Sequence, residues 1–380
     1  CTDTLRRHFS EGMPHMSDTA NDKPLAGKTI LMSGGSRGIG LAIALRAARD
    51  GANIALIAKT DTPHPKLEGT IHTAAAQIEE AGGRALPIVG DVRDDAQITE
   101  AVLRTQGEFG GIDIVINNAS VIDLSGSLDL AVKKYDLMQG VNVRGTFLLS
   151  RAAVPALKES ANPHILSLSP PLNITPRWLG AHTGYTLAKY GMTMATLGIG
   201  AEFADAGIAA NTLWPRTTIA TAAVQFSLGG DRMMKVSRTP EIYADAAYAV
   251  ITQPARDYTG QTLIVEDVLE DAGVTLGKRG EIVVAGQGEE AAVGVEDAPV
   301  PADEERRRHA LEERGRGGLG PAGAGKGRDP GRRRVGLLGA EGVAHPGRQP
   351  VPGIGGGGVA HQGPRPPGDD DRADDAHQRV

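Results

Sequence analysis

From Lys28 onward the apolar positions fall in blocks: short β-branched runs are followed by longer Ala-rich stretches whose apolar residues recur at helical spacing. This alternation predicts βαβ units around a parallel sheet. Strands are expected at 28–33 (KTILMS), 53–58 (NIALIA), 85–90 (ALPIVG), 112–117 (IDIVIN), 163–169 (PHILSLS), 208–213 (IAANTL) and 262–265 (TLIV), with six helices between them. The strand runs are apolar throughout rather than at every second residue. Helices are therefore expected on both faces of the sheet. The fold class is α/β, a doubly wound seven-stranded parallel sheet, and its ligands are expected beyond the carboxyl ends of the strands.

Composition limits this domain to part of the 380 residues. Residues 281–380 hold 22 Gly and 10 Pro with no Phe, Trp or Tyr. Such a stretch buries too little apolar surface to offset ordering entropy. The expected organisation is an N-terminal extension over 1–24, one domain over 25–275 and a low-complexity or disordered tail over 276–380. Residues 281–380 carry 13 Arg against one Lys, in blocks such as EERRRH and GRRRVG. The tail reads either as an interaction segment or as out-of-frame translation of a GC-rich gene, and its GC-rich codons favour the second.

The net charge of −6 and the lack of a basic stripe with interleaved aromatics argue against nucleic acid as a partner. The single cysteine, Cys1, excludes an intrachain disulfide. No apolar run approaches the roughly 18 residues that span a bilayer. A cytoplasmic location is the expectation.

The first strand runs into Ser33-Gly34-Gly35-Ser36-Arg37-Gly38-Ile39-Gly40, and a helical stretch follows. Glycines at 34, 38 and 40 allow a tight turn, close approach of a pyrophosphate and helix–strand packing, while the helix N-terminus offers free N–H groups to phosphate. A tight turn without ligand is the alternative. In this βαβ context the loop predicts a dinucleotide site on a Rossmann fold, with Gly34, Ser36, Arg37, Gly38, Ile39 and Gly40 on the cofactor.

The second strand ends in Ala58-Lys59, with no carboxylate for a ribose hydroxyl. Lys59 and Arg37 could instead hold a 2′-phosphate, which favours NADP(H). A solvated loop lysine is the other reading. Asp91, before Val92 at the end of the third strand, reads as an acceptor for the adenine amino group or as the cap of the next helix. Asn117-Asn118-Ala119 ends the fourth strand and either pins that end beside the cofactor or is turn chemistry.

Tyr185 and Lys189 stand four apart after the fifth strand, which puts phenol and ammonium on one helical face. A neighbouring cation brings a phenol of ordinary pKa near 10 towards the working range of a general acid. An exposed surface pair is the alternative.

In order, SGGSRGIG, Asp91-Val92, NNA at 117–119, Asn142 within GVNVRG, YTLAK at 185–189 and Pro215 resemble the short-chain dehydrogenase/reductase family over about residues 25–270. KTDTPHPKLEGTIHTAA, HILSLSPPLNITPRW and LWPRTTIATAAV narrow the resemblance to a branch whose animal members carry a sterol-carrier domain, which nothing in 276–380 resembles. The resemblance implies an Asn-Ser-Tyr-Lys tetrad, an NADP(H) site that includes Asn118, Ala119 and Pro215, and a homo-oligomer. Asn142, Tyr185 and Lys189 fill three places of the tetrad. The serine is missing: 13 residues before Tyr185 stands Leu172, and alignment on the strand puts Pro170 there. Ser169, Asn173 and Thr175 are the local substitutes, with Ser169 carried as the catalytic candidate. His182 is a pocket or structural residue, and Trp178 and Trp214 are packing or pocket walls. Two functions follow: a reductase of hydrophobic, lipid-derived carbonyls, or an NADPH-binding module that lost turnover with the serine.

Overall fold

The structure, a computed structural model, describes residues 23–63, 68–276 and 282–283. Seven parallel strands form one sheet: β1 Thr29–Ser33, β2 Asn53–Ala58, β3 Arg84–Val89, β4 Ile114–Asn117, β5 His164–Ser167, β6 Ala209–Trp214 and β7 Thr262–Ile264. Their order is β3-β2-β1-β4-β5-β6-β7. The six expected crossovers are the six long helices: α1 Gly38–Ala48, α2 Ile71–Glu80, α3 Asp95–Phe109, α5 Gly145–Leu157, α7 Thr183–Glu202 and α9 Pro240–Ile251. Four more, α4 Val132–Met138, α6 Pro176–Ala181, α8 Gly230–Val236 and α10 Val265–Asp271, are six or seven residues long. Helices of two turns carry too little periodicity to announce themselves in the sequence.

The continuous apolar runs behave as expected for a sheet covered on both faces. Within β1, Ile30 and Met32 join one core cluster with Ile43, Ala44 and Ala47 of α1 and Ile242 and Tyr243 of α9. Leu31, between them, joins the opposite cluster with Ile98 of α3, Leu148 and Leu149 of α5 and Ile199 of α7. Each fully buried Leu or Ile contributes about 1.5–3 kcal/mol, so the register of β1 is fixed by both layers. The edge strand β3 departs from the pattern, and Val89 is 51% exposed.

Local signals set several helix ends. Thr70 caps α2 in a reciprocal box with Thr73. Asp94, not Asp91, caps α3 by accepting from the Ala96 and Gln97 N–H groups. The reading of Asp91 as the cap is thereby corrected: the chain makes one more turn after it before the helix starts.

Beyond Thr275, Thr275–Leu276 pairs antiparallel with Ile282–Val283, so regular backbone crosses the expected domain end. The 1–24 extension up to residue 22, and the rest of the 276–380 tail, lie outside the described residues. No described helix is long and apolar enough to cross a membrane. No group of three or more potential metal ligands occurs among the described residues.

Candidate active site

Strand order reverses between β1 and β4, and the two ends of those strands build the first half of the site. In register, Ser33 lies beside Asn117. Asn118 Nδ2 donates to the carbonyls of Ser33 (3.1 Å) and Gly34 (2.6 Å), and the N–H groups of Asn118 and Ala119 both donate to Ser33 Oγ at 3.2 Å. Asn118 thus pins the glycine loop, one of the two roles expected of the pair. Asn117 turns into the core, donating to Ser150 Oγ and Ser167 Oγ.

The loop's glycines are required by space and backbone. Gly34 has φ 76°, and a Cβ there would lie 2.9 Å from Ala119 Cα. A Cβ at Gly40 would lie 2.5 Å from Asn118 Nδ2. The end of α1 is open chemically: its N-cap, Arg37, makes no side-chain cap bond, and no acid occupies the first turn. Ser36 is buried, and Ile39 packs partly against the core. The Arg37 guanidinium donates to the Gly69 carbonyl at 2.7 Å while its buried Nε has no partner among the described residues. That orphaned donor and the uncapped helix end suit a phosphorylated ligand.

Lys59 and Asp91, assigned separately from sequence, meet. Lys59 Nζ lies 3.1 Å from Asp91 Oδ2, and Arg93 grips the same carboxylate with Nη2 at 2.5 Å. The Arg93 guanidinium, with Lys59 behind it, holds Asp91 well below the usual carboxylate range. Lys59 therefore points to a carboxylate. Val92 is buried against Gly145 of α5.

The second half sits at the ends of β5 and β6. Lys189 of α7 is 4% exposed. Its Nζ donates to the Leu168 carbonyl at 2.9 Å and lies 5.3 Å from the centroid of the Trp214 ring. Burial pushes its pKa down to about 7. Tyr185, one turn earlier and partly buried, is pushed up by the same desolvation. Burial alone therefore disfavours charge on both groups. Pro215 follows Trp214 at the end of β6 and is half-buried.

Asn142 is fully buried in a π-helical turn, Gln139–Arg144, that joins α4 to α5. Its side chain holds the loop after β4, accepting from Val121 N–H at 2.8 Å and donating to the Val121 carbonyl at 3.0 Å. No periodicity in the sequence announces the π turn, a rare form that occurs mostly as a single turn inside α-helices.

Around Pro170 the strand has already ended. Ser169 N–H donates to the Ser167 carbonyl at 3.0 Å, so the alternation of a strand no longer sets its direction. Ser169 is 0% exposed, and its Oγ accepts from Thr193 Oγ1 at 3.0 Å. The structure places it against Thr193 on the inner face of α7. The Tyr190 hydroxyl bridges the N–H and carbonyl of Asn173, and Asn173 Oδ1 accepts from Thr175 N–H. His182 Nδ1 sits 2.7 Å from the Leu124 carbonyl. Trp178, with Leu172, Ile174 and Leu179, is exposed in the stretch that follows β5.

The family model for short chain dehydrogenases matches residues 28–227. The chain belongs to the short chain dehydrogenase family. Hydroxysteroid dehydrogenase-like protein 2 of Danio rerio is 56% identical over 254 residues, 67% of this chain and 60% of that protein. The human protein of the same name is 52% identical over the same shares. The matched stretch thus spans about three fifths of the curated relatives. A crystal structure of a short chain dehydrogenase from Mycobacterium thermoresistibile is 60% identical with TM-score 0.63, covering 66% of this chain and 89% of that one. Membership in this family supports an oxidoreductase activity, and alignment on the strand leaves Pro170 where the resemblance implies a serine.

Proposed function

We propose that this chain is an NADPH-dependent oxidoreductase that interconverts a carbonyl and an alcohol on a hydrophobic, lipid-derived substrate. The observation that carries the reading is the buried Lys189, one helical turn from Tyr185 beneath the ends of β5 and β6. A lysine with its pKa pulled to about 7 is poised to regain its charge when a polyanion docks nearby. When bound, the nicotinamide cofactor supplies the hydride. Backbone N–H groups of the α1 terminus and Arg37 would hold its phosphates, with Lys59 turning from Asp91 to a 2′-phosphate. Tyr185 Oη gives the proton to the developing alkoxide, and the recharged Lys189 lowers the cost of the phenolate left behind. Asn142 fixes the loop after β4 and supports a water in the proton relay. The relatives' name and the exposed apolar stretch around Trp178 support a hydrophobic substrate. Exposed Phe147 of α5 and Leu187 and Met194 of α7 support association into a homo-oligomer.

Screening NADPH oxidation against aldehydes, ketones and lipid-derived carbonyls tests the reading, and turnover that disappears in Tyr185→Phe is the expected result. The ratio of specificity for NADPH over NADH is expected to fall sharply in Lys59→Ala; an unchanged ratio rejects the 2′-phosphate assignment. Pro170 favours a second reading, a cofactor-binding module without efficient turnover. Tight NADPH binding with no turnover across the panel would establish that one instead.

A further inference from the structure

Segment 216–238 leaves the sheet after β6 and rejoins the domain just before α9, so it overhangs the carboxyl ends of the strands. Its base is closed. Ile219 and Arg238 form an isolated parallel bridge, the Ala220 N–H donates to the Arg238 carbonyl at 2.7 Å, and the Arg238 N–H donates to the Thr218 carbonyl at 3.0 Å. Within the segment lie a π turn at Val224–Leu228, a Gly229-Gly230 pair with φ of 135° and 62°, and α8. Its near end touches the dinucleotide loop, since a Cβ at Gly38 would lie 3.4 Å from Thr221 Cγ2.

Both feet of the segment rest on one carboxylate. Glu266, in the first turn of α10, has a side chain only 9% exposed. Its Oε2 accepts from the Arg216 N–H at 2.9 Å, and its Oε1 lies 3.2 Å from Arg238 Nη1. The neighbouring Asp267 pairs with the Arg216 guanidinium. Apolar packing of α10 is supplied by Val265, Val268 and Leu269, so the core does not call for an acid at 266. A carboxylate this buried persists only when matched by donors and charge.

The two feet differ. The bond to Arg216 N–H is directed, whereas Arg238 Nη1 and Glu266 Oε1 meet outside hydrogen-bond geometry and have no other partner among the described residues. The Arg238 guanidinium is thus held to Glu266 by charge alone, while the Arg238 backbone is tied to Thr218 and Ala220, and the Gly229-Gly230 pair gives the segment a pivot on that side.

We infer that Glu266 is a positioning residue that clamps segment 216–238 at both ends and so holds Thr221 over the glycine loop, setting how firmly the dinucleotide is retained. This rests on the glycine loop being the NADPH site. Where only a fraction of molecules is closed and competent, the apparent Kd is the intrinsic one divided by that fraction, so a closed fraction of about one tenth weakens binding about tenfold.

Three measurements on the full chain test the clamp: tryptic cleavage without cofactor at the exposed Arg232 and Lys235 of α8, NADPH titration by fluorescence, and steady-state kinetics. Glu266→Gln removes the charge and keeps an acceptor. It is expected to speed cleavage at those two sites about tenfold, weaken NADPH about tenfold and raise the KM for NADPH more than it changes kcat. Arg238→Gln is expected to do the same, with the double variant no worse than either single one. Unchanged cleavage in both variants overturns the clamp. So does cleavage throughout the domain with loss of cooperative melting in both, which would make the pair a pin of the core. A parent chain that fails to bind NADPH refutes the cofactor reading, while cleavage alone still decides the clamp.

Discussion

On the β1–β4 side of the site, side chains bond the backbone of the glycine loop and of the strand end, and on the β5–β6 side hydroxyls bond one another and nearby carbonyls. On the first side, Asn118 ties together the carbonyls of Ser33 and Gly34, and Gly34 and Gly40 stand where a Cβ would collide. On the second, Thr193 holds Ser169 and the Pro170 carbonyl, Thr196 holds Ser167, and Tyr190 holds Asn173. A glycine with no room for a Cβ admits few substitutions, whereas hydroxyl networks can be rewired. The glycine motif that resembles the family's lies on the first side, and Pro170, where alignment on the strand expects a serine, lies on the second.

The sharpest break in this comparison is Tyr185→Phe. It removes the proton donor while leaving the loop intact, so kcat should fall by about 10²–10⁴-fold with the NADPH Kd little changed; equal losses in both would show that the halves are not separable. Next comes Gly40→Ala, whose added Cβ meets Asn118 Nδ2 at 2.5 Å and the Gly34 carbonyl at 2.9 Å. Displacement of the loop is expected to weaken NADPH about 100-fold and to cost about 1–3 kcal/mol of stability, as measured by titration and denaturant melts.

The buried lysine gives a third prediction. Its native pKa of about 7 lies below its ordinary 10.5. Between those values the unfolded chain binds a proton that the native one has lost, so stability rises with pH across that window and the full penalty is present below it. The slope is at most about 1.4 kcal/mol per pH unit, and Lys189→Met should flatten it in melts at pH 7–9. The smallest effect is expected at Ser169→Ala. Losing its bond with Thr193 should cost about 0.5–1.5 kcal/mol and leave kcat within a few-fold. A collapse of kcat with normal stability would instead show Ser169 acting in catalysis.

The β-branched runs, the glycine loop opening a helix and the Tyr185–Lys189 spacing were all legible in the chain. Each depends on geometry within a few residues: two-residue and 3.6-residue periods, backbone freedom at glycine, and neighbours one turn apart. Four features were not. Lys59 finds Asp91 across 32 residues, and Glu266 finds Arg216 across 50. Asp94 rather than Asp91 caps α3, and Ser169 turns inward because β5 stops at Ser167. These were settled by which strands lie side by side and where each one ends.

Sequence by itself therefore determined the layers, the position of the dinucleotide loop and the Tyr-Lys pair. Tertiary structure alone decided which charge answers which. Partners distant in the chain become neighbours only once the strand order has reversed at β1 and β4 and the helices have closed on both faces.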